Sequence, residues 1–151
     1  SLTCGHCADF HKNVYPKLKK DFIEKGLVKI EFRNFPLDIA AFNASKIGQC
    51  KNNGSPDILN VLFLGQKKWA RGNTPEEARM YLKKFLKDEG ISVDFEKCLN
   101  DKGIENYVLN DRIEGVKKFK VNATPTIIIN DKKFEKAINY KNIKKYLEKL
   151  I

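Results

Sequence analysis

The sequence predicts an α/β protein in which a small sheet and its helices are divided by a long helical insertion. Apolar residues alternate with charged ones at positions 27–33, and a β-branched run occupies positions 126–129, and both patterns are typical of strands. Between these segments the apolar residues recur with a helical period. We therefore expect the first part of the fold at residues 1–37, the insertion at residues 38–120 and the second part at residues 121–151.

The first helix is expected to begin at Cys4 and to end near Gly26, with a kink at Pro16. Its apolar face consists of Phe10, Val14, Leu18 and Phe22. A helix that starts this early normally follows a strand, so we expect the first strand of the sheet to lie upstream of Ser1.

The insertion carries clear helix-start signals. Ser55 before Pro56 is typical of an N-cap followed by proline at the first helical position. Thr74 with Glu77 three residues later is a capping box. We expect the last helix of the insertion over residues 104–119. The face predicted for that helix consists of Val108, Arg112, Ile113, Val116 and Phe119.

The second part begins with the strand at residues 126–129 and returns through a turn at Asn130 and Asp131. A second strand is expected at residues 133–134. The chain then closes with an amphipathic helix, whose apolar face consists of Tyr140, Ile143, Leu147 and Leu150.

Composition narrows the function classes. With 151 residues and 42% hydrophobic content, the chain can bury a core, which excludes a disordered protein. The net charge is +10, but the lysines are spread over nearly every amphipathic segment, so a solvated surface is favoured over nucleic-acid binding. The apolar runs are too short to span a bilayer.

The four cysteines form one close pair, Cys4 and Cys7, and two distant singles, Cys50 and Cys98. This distribution indicates one catalytic pair and one structural bridge, which we expect to join Cys50 and Cys98; the alternative is two buried free thiols. Because disulfides persist in oxidising compartments, it also indicates an exported protein.

The run Cys4-Gly5-His6-Cys7 places two thiols on one face of a first helical turn. The helix start favours the thiolate of Cys4, and His6 can add a positive charge or a hydrogen-bond donor. Half a zinc site is the main rival, and a local structural disulfide is another. Zinc needs further ligands, and the remaining histidine, His11, is expected on the helix surface.

Pro125 follows Thr124 directly before the predicted strand at residues 126–129, where a residue without an N–H group is tolerated. Most X-Pro bonds are trans, but an N-terminal CxxC pair about 120 residues upstream changes that expectation in favour of cis.

With these motifs the chain resembles DsbA-type thiol–disulfide oxidoreductases of the thioredoxin superfamily, which have a thioredoxin fold with an inserted helical domain. The matching stretches are residues 1–7 with Phe10 and His11, residues 33–38, and residues 124–126. The residues 4–9 and the two additional cysteines resemble the alphaproteobacterial branch. Position 5 is glycine, where the family usually has proline.

The resemblance implies a role for each site residue. Cys4 would be the exposed nucleophile that carries a mixed disulfide, and Cys7 would be the buried resolving partner. His6 would tune the redox potential towards oxidation. Pro125, in cis, would face the cysteines, and the backbone of Thr124 would pair with a substrate peptide by strand addition.

We therefore expect a periplasmic or otherwise exported enzyme that donates its disulfide to reduced or unfolded proteins. The resemblance also implies recycling by a membrane quinone-linked reoxidase. We expect a monomer without cofactor, metal or nucleic-acid partner. Two alternatives stay open: a disulfide reductase or isomerase, and a peptide-binding or chaperone module whose cysteines are incidental or bind zinc.

Overall fold

A computed structural model describes residues 1–51 and 57–151. The N-cap expected at Ser55 and Pro56 lies outside these described residues. Within them, no helix is both long and apolar enough to cross a membrane.

The predicted first helix is divided into three pieces. Helix α1 spans Gly5–Asn13, helix α2 spans Tyr15–Leu18, and a π-helical turn continues over Lys19–Ile23. The break lies at Val14, two residues before Pro16, and the proline occupies the first turn of α2. Proline lacks an N–H group and cannot continue the ladder of α1, so the helix ends there and restarts.

The prediction of a hydrogen-bonded strand at residues 27–33 is wrong, because this segment pairs with no other strand among the described residues. The alternation itself is present, since Val28, Ile30 and Phe32 are half-buried and pack against the core. The alternation of apolar and charged residues therefore reflects burial of one side of an extended segment. A ladder also needs a partner backbone, which the described residues do not supply.

The insertion is helical, as expected. Its helices are α3 Ile39–Cys50, α4 Asp57–Leu64, α5 Gln66–Trp69, α6 Pro75–Asp88, α7 Phe95–Asn100 and α8 Lys102–Phe119. The capping box is confirmed, because the Thr74 hydroxyl accepts from the Glu77 amide at 3.2 Å. In a capping box the Glu77 carboxylate would accept from the backbone amide of Thr74. Here it accepts instead from the backbone amide of Asn73, one residue earlier, at 2.7 Å.

The predicted buried face of α8 is wrong in part, because Ile113 and Val116 are 47% and 45% exposed. Val108 is buried, as the prediction requires, and Asp111, which the prediction left out, is buried too. The Asp111 carboxylate accepts hydrogen bonds at 2.9 Å and 2.8 Å from the backbone and side-chain amides of Asn34. This polar contact places a carboxylate, together with Val108, on the side of α8 that faces the rest of the protein.

The second part contains a short antiparallel hairpin, β1 Ile128–Ile129 and β2 Lys132–Lys133. Asn130 and Asp131, at the predicted turn, have φ values of 48° and 63°. Two positive φ values match the right-handed twist of a two-residue hairpin, and Asn and Asp tolerate them. Helix α9, Tyr140–Leu147, closes the chain.

Two hydrophobic clusters organise these elements. The first lies in the insertion and includes Leu62, Trp69 and Leu82 together with Cys7. The second lies under the hairpin and α9, and Phe10 of α1 belongs to it. Helix α1 thus contributes to both clusters and sits where the insertion meets the rest of the fold. Packing of Cys7 in the first cluster and of Phe10 in the second holds the start of α1 in place.

Candidate active site

Cys4 occupies the N-cap position of α1, with φ −76° and ψ 121°. Its Sγ atom accepts a hydrogen bond from the backbone amide of Cys7 at 3.4 Å, as the side chain of an N-cap residue does. Both cysteines are free thiols, and Cys7 is buried whereas Cys4 is partly exposed. The first turn of a helix carries unpaired N–H groups and the positive end of the helix dipole, so a sulfur anion is favoured at this position.

A second segment, 120 residues further along the chain, completes the site. The Cys4 thiol donates to the carbonyl oxygen of Thr124 at 3.4 Å. The peptide bond between Thr124 and Pro125 is cis, as the sequence predicts. The Thr124 hydroxyl is buried and has no hydrogen-bond partner within the described residues. It is nevertheless close enough to both sulfurs to lower the pKa of each thiol.

The environment separates the two thiols. Burial raises the pKa of Cys4, but the nearby Thr124 side chain, together with the backbone amide and the thiol of Cys7, outweighs burial, and the pKa lies below the usual value. For Cys7, burial dominates and raises the pKa above the usual value. The arrangement favours an anionic, accessible sulfur beside a neutral, buried one.

The loop before α1 is tied to the insertion by contacts that sequence reasoning missed. The side-chain amide of Gln66 donates to the carbonyl oxygens of Leu2 at 2.8 Å and Cys4 at 2.9 Å. The Thr3 hydroxyl donates to the carboxylate of Asp38 at 2.7 Å. Asp38 was visible in the sequence as part of the matching stretch at residues 33–38, whereas nothing in the sequence marks Gln66.

The two histidines near the cysteines lie in opposite environments. His6 is exposed, between the thiols in sequence. His11 corrects the expectation of a surface residue, because it is only 3% exposed and its ring stacks on Phe63 with 4.1 Å between centroids. One turn after buried Cys7, it shares the inward face of α1. Burial lowers the pKa of His11 to about 4.

Cys50 and Cys98 form a disulfide, the pair expected from the sequence, with Cα atoms 5.7 Å apart. Cys98 is buried in the insertion core, and Cys50 is half-buried against it. The disulfide therefore lies inside the insertion.

Within residues 1–51 and 57–151, no group of three or more His, Cys, Asp or Glu side chains is arranged to hold a metal ion. Cys4 and Cys7 are within hydrogen-bonding reach of each other and of Thr124, and thiol chemistry is what this arrangement supports.

Comparison with known proteins agrees with this geometry. A family model described as Thioredoxin matches residues 1–149. The crystal structure of Wolbachia pipientis alpha-DsbA1 superposes with a TM-score of 0.85 and 28% sequence identity, covering 99% of this chain and 81% of that one.

Two relatives in sequence carry related names. Disulfide bond formation protein D of Bacillus subtilis is 29% identical in an alignment 157 residues long, which covers 97% of this chain and 67% of that protein. A Rickettsia typhi protein, named as a candidate protein-disulfide oxidoreductase, is 31% identical in an alignment 134 residues long, which covers 86% of this chain and 48% of that protein. The chain spans about half the length of the Rickettsia relatives that it matches.

Proposed function

This chain belongs to the thioredoxin family and is DsbA-like in structure, and we propose that it is a thiol–disulfide oxidoreductase that donates the Cys4–Cys7 disulfide to folding exported proteins. The observation that carries the proposal is the asymmetry of the two thiols. Cys4 has a lowered pKa at a helix start beside Thr124 and the cis Pro125, while the pKa of buried Cys7 is raised. Interactions that stabilise the Cys4 thiolate stabilise the reduced protein and make its disulfide oxidising.

The reaction proceeds in two exchanges. In the oxidised protein, a thiolate of the substrate protein attacks Cys4 Sγ, the bond between Cys4 and Cys7 breaks, and Cys7 leaves with the electron pair and takes up a proton. A second substrate thiolate then attacks the substrate sulfur of the mixed disulfide, and Cys4 leaves as a thiolate. Two substrate thiols are oxidised to one disulfide, and one protein disulfide is reduced to two cysteines.

Accessibility sets the roles of the two cysteines. A substrate sulfur approaches partly exposed Cys4, whereas Cys7 is only 5% exposed. The backbone of Thr124, whose carbonyl already accepts from Cys4, pairs with an extended substrate segment. Exposed His6 contributes a positive charge or a donor at the mouth of the site and tunes the potential.

The cellular setting is part of the proposal. The Cys50–Cys98 disulfide is stable in an oxidising compartment, which supports a periplasmic or otherwise exported protein. Its substrates would be reduced or unfolded proteins, and a membrane quinone-linked reoxidase would restore the Cys4–Cys7 disulfide. We assign the dithiol chemistry to residues 1–37 and 121–151 and a supporting role to the insertion at residues 38–120.

The test is oxidation of a reduced dithiol peptide by the oxidised protein. Cys4→Ser should abolish the reaction, because no sulfur is left for the substrate to attack. Cys7→Ser should accumulate a mixed disulfide at Cys4 when the peptide is supplied with an activated thiol. The matched control is the double variant Cys50→Ser with Cys98→Ser, which removes the other pair and should keep the activity.

Equilibration with a glutathione buffer separates an oxidase from a reductase. A protein with a stabilised Cys4 thiolate is largely reduced at equilibrium, whereas a reductase retains its disulfide under the same conditions. A Cys4 pKa near that of free cysteine, or an unchanged rate in Cys4→Ser, would refute the proposed function.

A further inference from the structure

Gln66 connects the insertion to the loop that presents Cys4. Its Nε2 group donates to the carbonyl oxygens of Leu2 at 2.8 Å and of Cys4 at 2.9 Å, so both contacts use one amide group. The two acceptors lie on either side of Thr3, immediately before α1. A single side chain thus holds both ends of the turn that leads into the active-site helix.

The position of Gln66 is itself fixed by the packing of α5. Gly65, directly before it, lies so near α6 that a Cβ atom there would come within 2.1 Å of the Phe85 ring. Trp69 at the end of α5 is 1% exposed, and its indole N–H donates to the Leu62 carbonyl at 2.8 Å. The short helix is anchored at both ends, and the Gln66 amide is presented from a rigid support.

The Cys4 carbonyl oxygen links Gln66 to the first turn of α1, in which the Cys4 sulfur lies. The same oxygen accepts from the Ala8 amide at 3.1 Å, which is the first backbone hydrogen bond of α1. In that turn the Cys7 amide donates to Cys4 Sγ at 3.4 Å, a long contact whose strength depends on alignment. Anything that holds the Cys4 backbone in register with α1 also holds the sulfur against its donor.

We propose that Gln66 is a positioning residue for Cys4, and that by holding the Leu2 and Cys4 carbonyls it keeps the sulfur aligned with the amide of Cys7. The insertion thereby contributes to the redox properties of a dithiol that belongs to the other part of the fold. This inference rests on the proposed function of the Cys4–Cys7 pair.

Three variants test it, with the pKa of Cys4 read from thiolate absorbance against pH and the dithiol–disulfide equilibrium read in glutathione buffers. Gln66→Leu removes both donors and keeps the bulk of the side chain. Gln66→Lys replaces the amide with another donor that can reach the carbonyls. Lys67→Leu is the matched control, since Lys67 is the exposed neighbour on the same helix.

Gln66→Leu should raise the Cys4 pKa by about half a unit to one unit and shift the equilibrium about threefold to tenfold towards the disulfide, as expected for the loss of one modest hydrogen bond to the thiolate. Gln66→Lys should restore the pKa of the parent in low and in high salt alike, whereas a pKa restored only by the charge of the lysine would depend on salt. Lys67→Leu should leave the pKa unchanged. If Gln66→Leu does not fold, Gln66→Met, an unbranched and uncharged side chain without a donor, should produce the same rise.

The inference is overturned if Gln66→Leu, or Gln66→Met in its place, leaves the Cys4 pKa at the parent value. It is also overturned if Lys67→Leu shifts the pKa equally, or if Gln66→Lys behaves like Gln66→Leu. A parent protein with an ordinary Cys4 pKa would instead refute the proposed function, so the two failures are distinguishable.

Discussion

Replacing Thr124 with valine isolates one contribution to the reactivity of Cys4. Valine keeps the branched shape of threonine and removes the hydroxyl, which lowers the pKa of both Cys4 and Cys7. Because this buried hydroxyl has no hydrogen-bond partner among the described residues, the substitution leaves no broken protein contact behind. The change therefore acts on the sulfurs, and we expect the pKa of Cys4 to rise.

The magnitude follows from the geometry. A hydrogen bond to a charged group contributes about 1.5–3 kcal/mol. Cys4 is partly exposed and the Thr124 hydroxyl makes no full hydrogen bond in this state, so solvent screening and poor alignment reduce this to about 0.7–1.4 kcal/mol. At about 1.4 kcal/mol per unit, the Cys4 pKa should rise by about half a unit to one unit.

The redox potential should change in the same proportion. A higher Cys4 pKa means that the thiolate is less stable. The reduced protein is then less stable relative to the disulfide form, so the disulfide becomes a poorer oxidant. About 30 mV corresponds to about 1.4 kcal/mol for two electrons, and we expect the potential of Thr124→Val to fall by about 15–30 mV. The Cys7 thiol, whose pKa is raised, stays protonated near neutral pH and contributes little.

Thiolate absorbance against pH and glutathione equilibria measure the two quantities. Thr126→Val is the matched control, because it makes the same change on the other side of Pro125, where the Thr126 hydroxyl donates to the Ala123 carbonyl. An unchanged or lowered Cys4 pKa in Thr124→Val would refute the reasoning. An equal rise in Thr126→Val would show that disturbance of the loop, and not loss of the hydroxyl, causes the shift.

Two further predictions concern stability. Because burial lowers the pKa of His11 in the folded protein to about 4 from the ordinary value of 6.5, the unfolded chain binds a proton first as the pH falls. The free energy of unfolding should therefore decrease by about 3 kcal/mol between pH 6.5 and pH 4, and His11→Phe in parallel urea titrations should lack this part of the decrease. The disulfide between Cys50 and Cys98 closes a loop with a sequence separation of 48 and so restricts the unfolded chain. Replacing both cysteines with alanine should therefore lower the free energy of unfolding by about 4 kcal/mol in urea titration. An unchanged unfolding midpoint would show that the disulfide does not stabilise the protein in this way.

Local signals account for the parts of the fold and site that could be predicted from the sequence. Thr74 and Glu77 form a cap because the atoms that bond are three residues apart. Cys4 begins a helix for a similar local reason, and Pro125 precedes a β-branched run whose second half, Ile128–Ile129, forms a strand. Each signal concerns neighbours along the chain, so a single sequence carries it.

The predictions that were wrong depended on contacts between distant segments. Residues 27–33 show a strand period, but a period reports burial on one side and says nothing of a ladder partner. Ile113 and Val116 have helical spacing, yet the contact between Asp111 and Asn34 decides which face of α8 turns inward. A buried carboxylate with two donors can override an aliphatic stripe, because leaving its charge unpaired would cost several kcal/mol.

The same distinction explains why a CxxC motif alone does not determine the direction of thiol exchange. The motif places two sulfurs at a helix start, and an oxidase and a reductase share that much. The direction depends on how far the thiolate of Cys4 is favoured over its disulfide, and at this site Thr124 and Gln66 act on that balance from segments far along the chain. Each contribution of about half a pKa unit to one unit is worth about 15–30 mV of redox potential, since one pKa unit corresponds to about 30 mV. The redox character of the protein therefore belongs to the assembled site, and changes at positions 66 and 124 should move it without altering either cysteine.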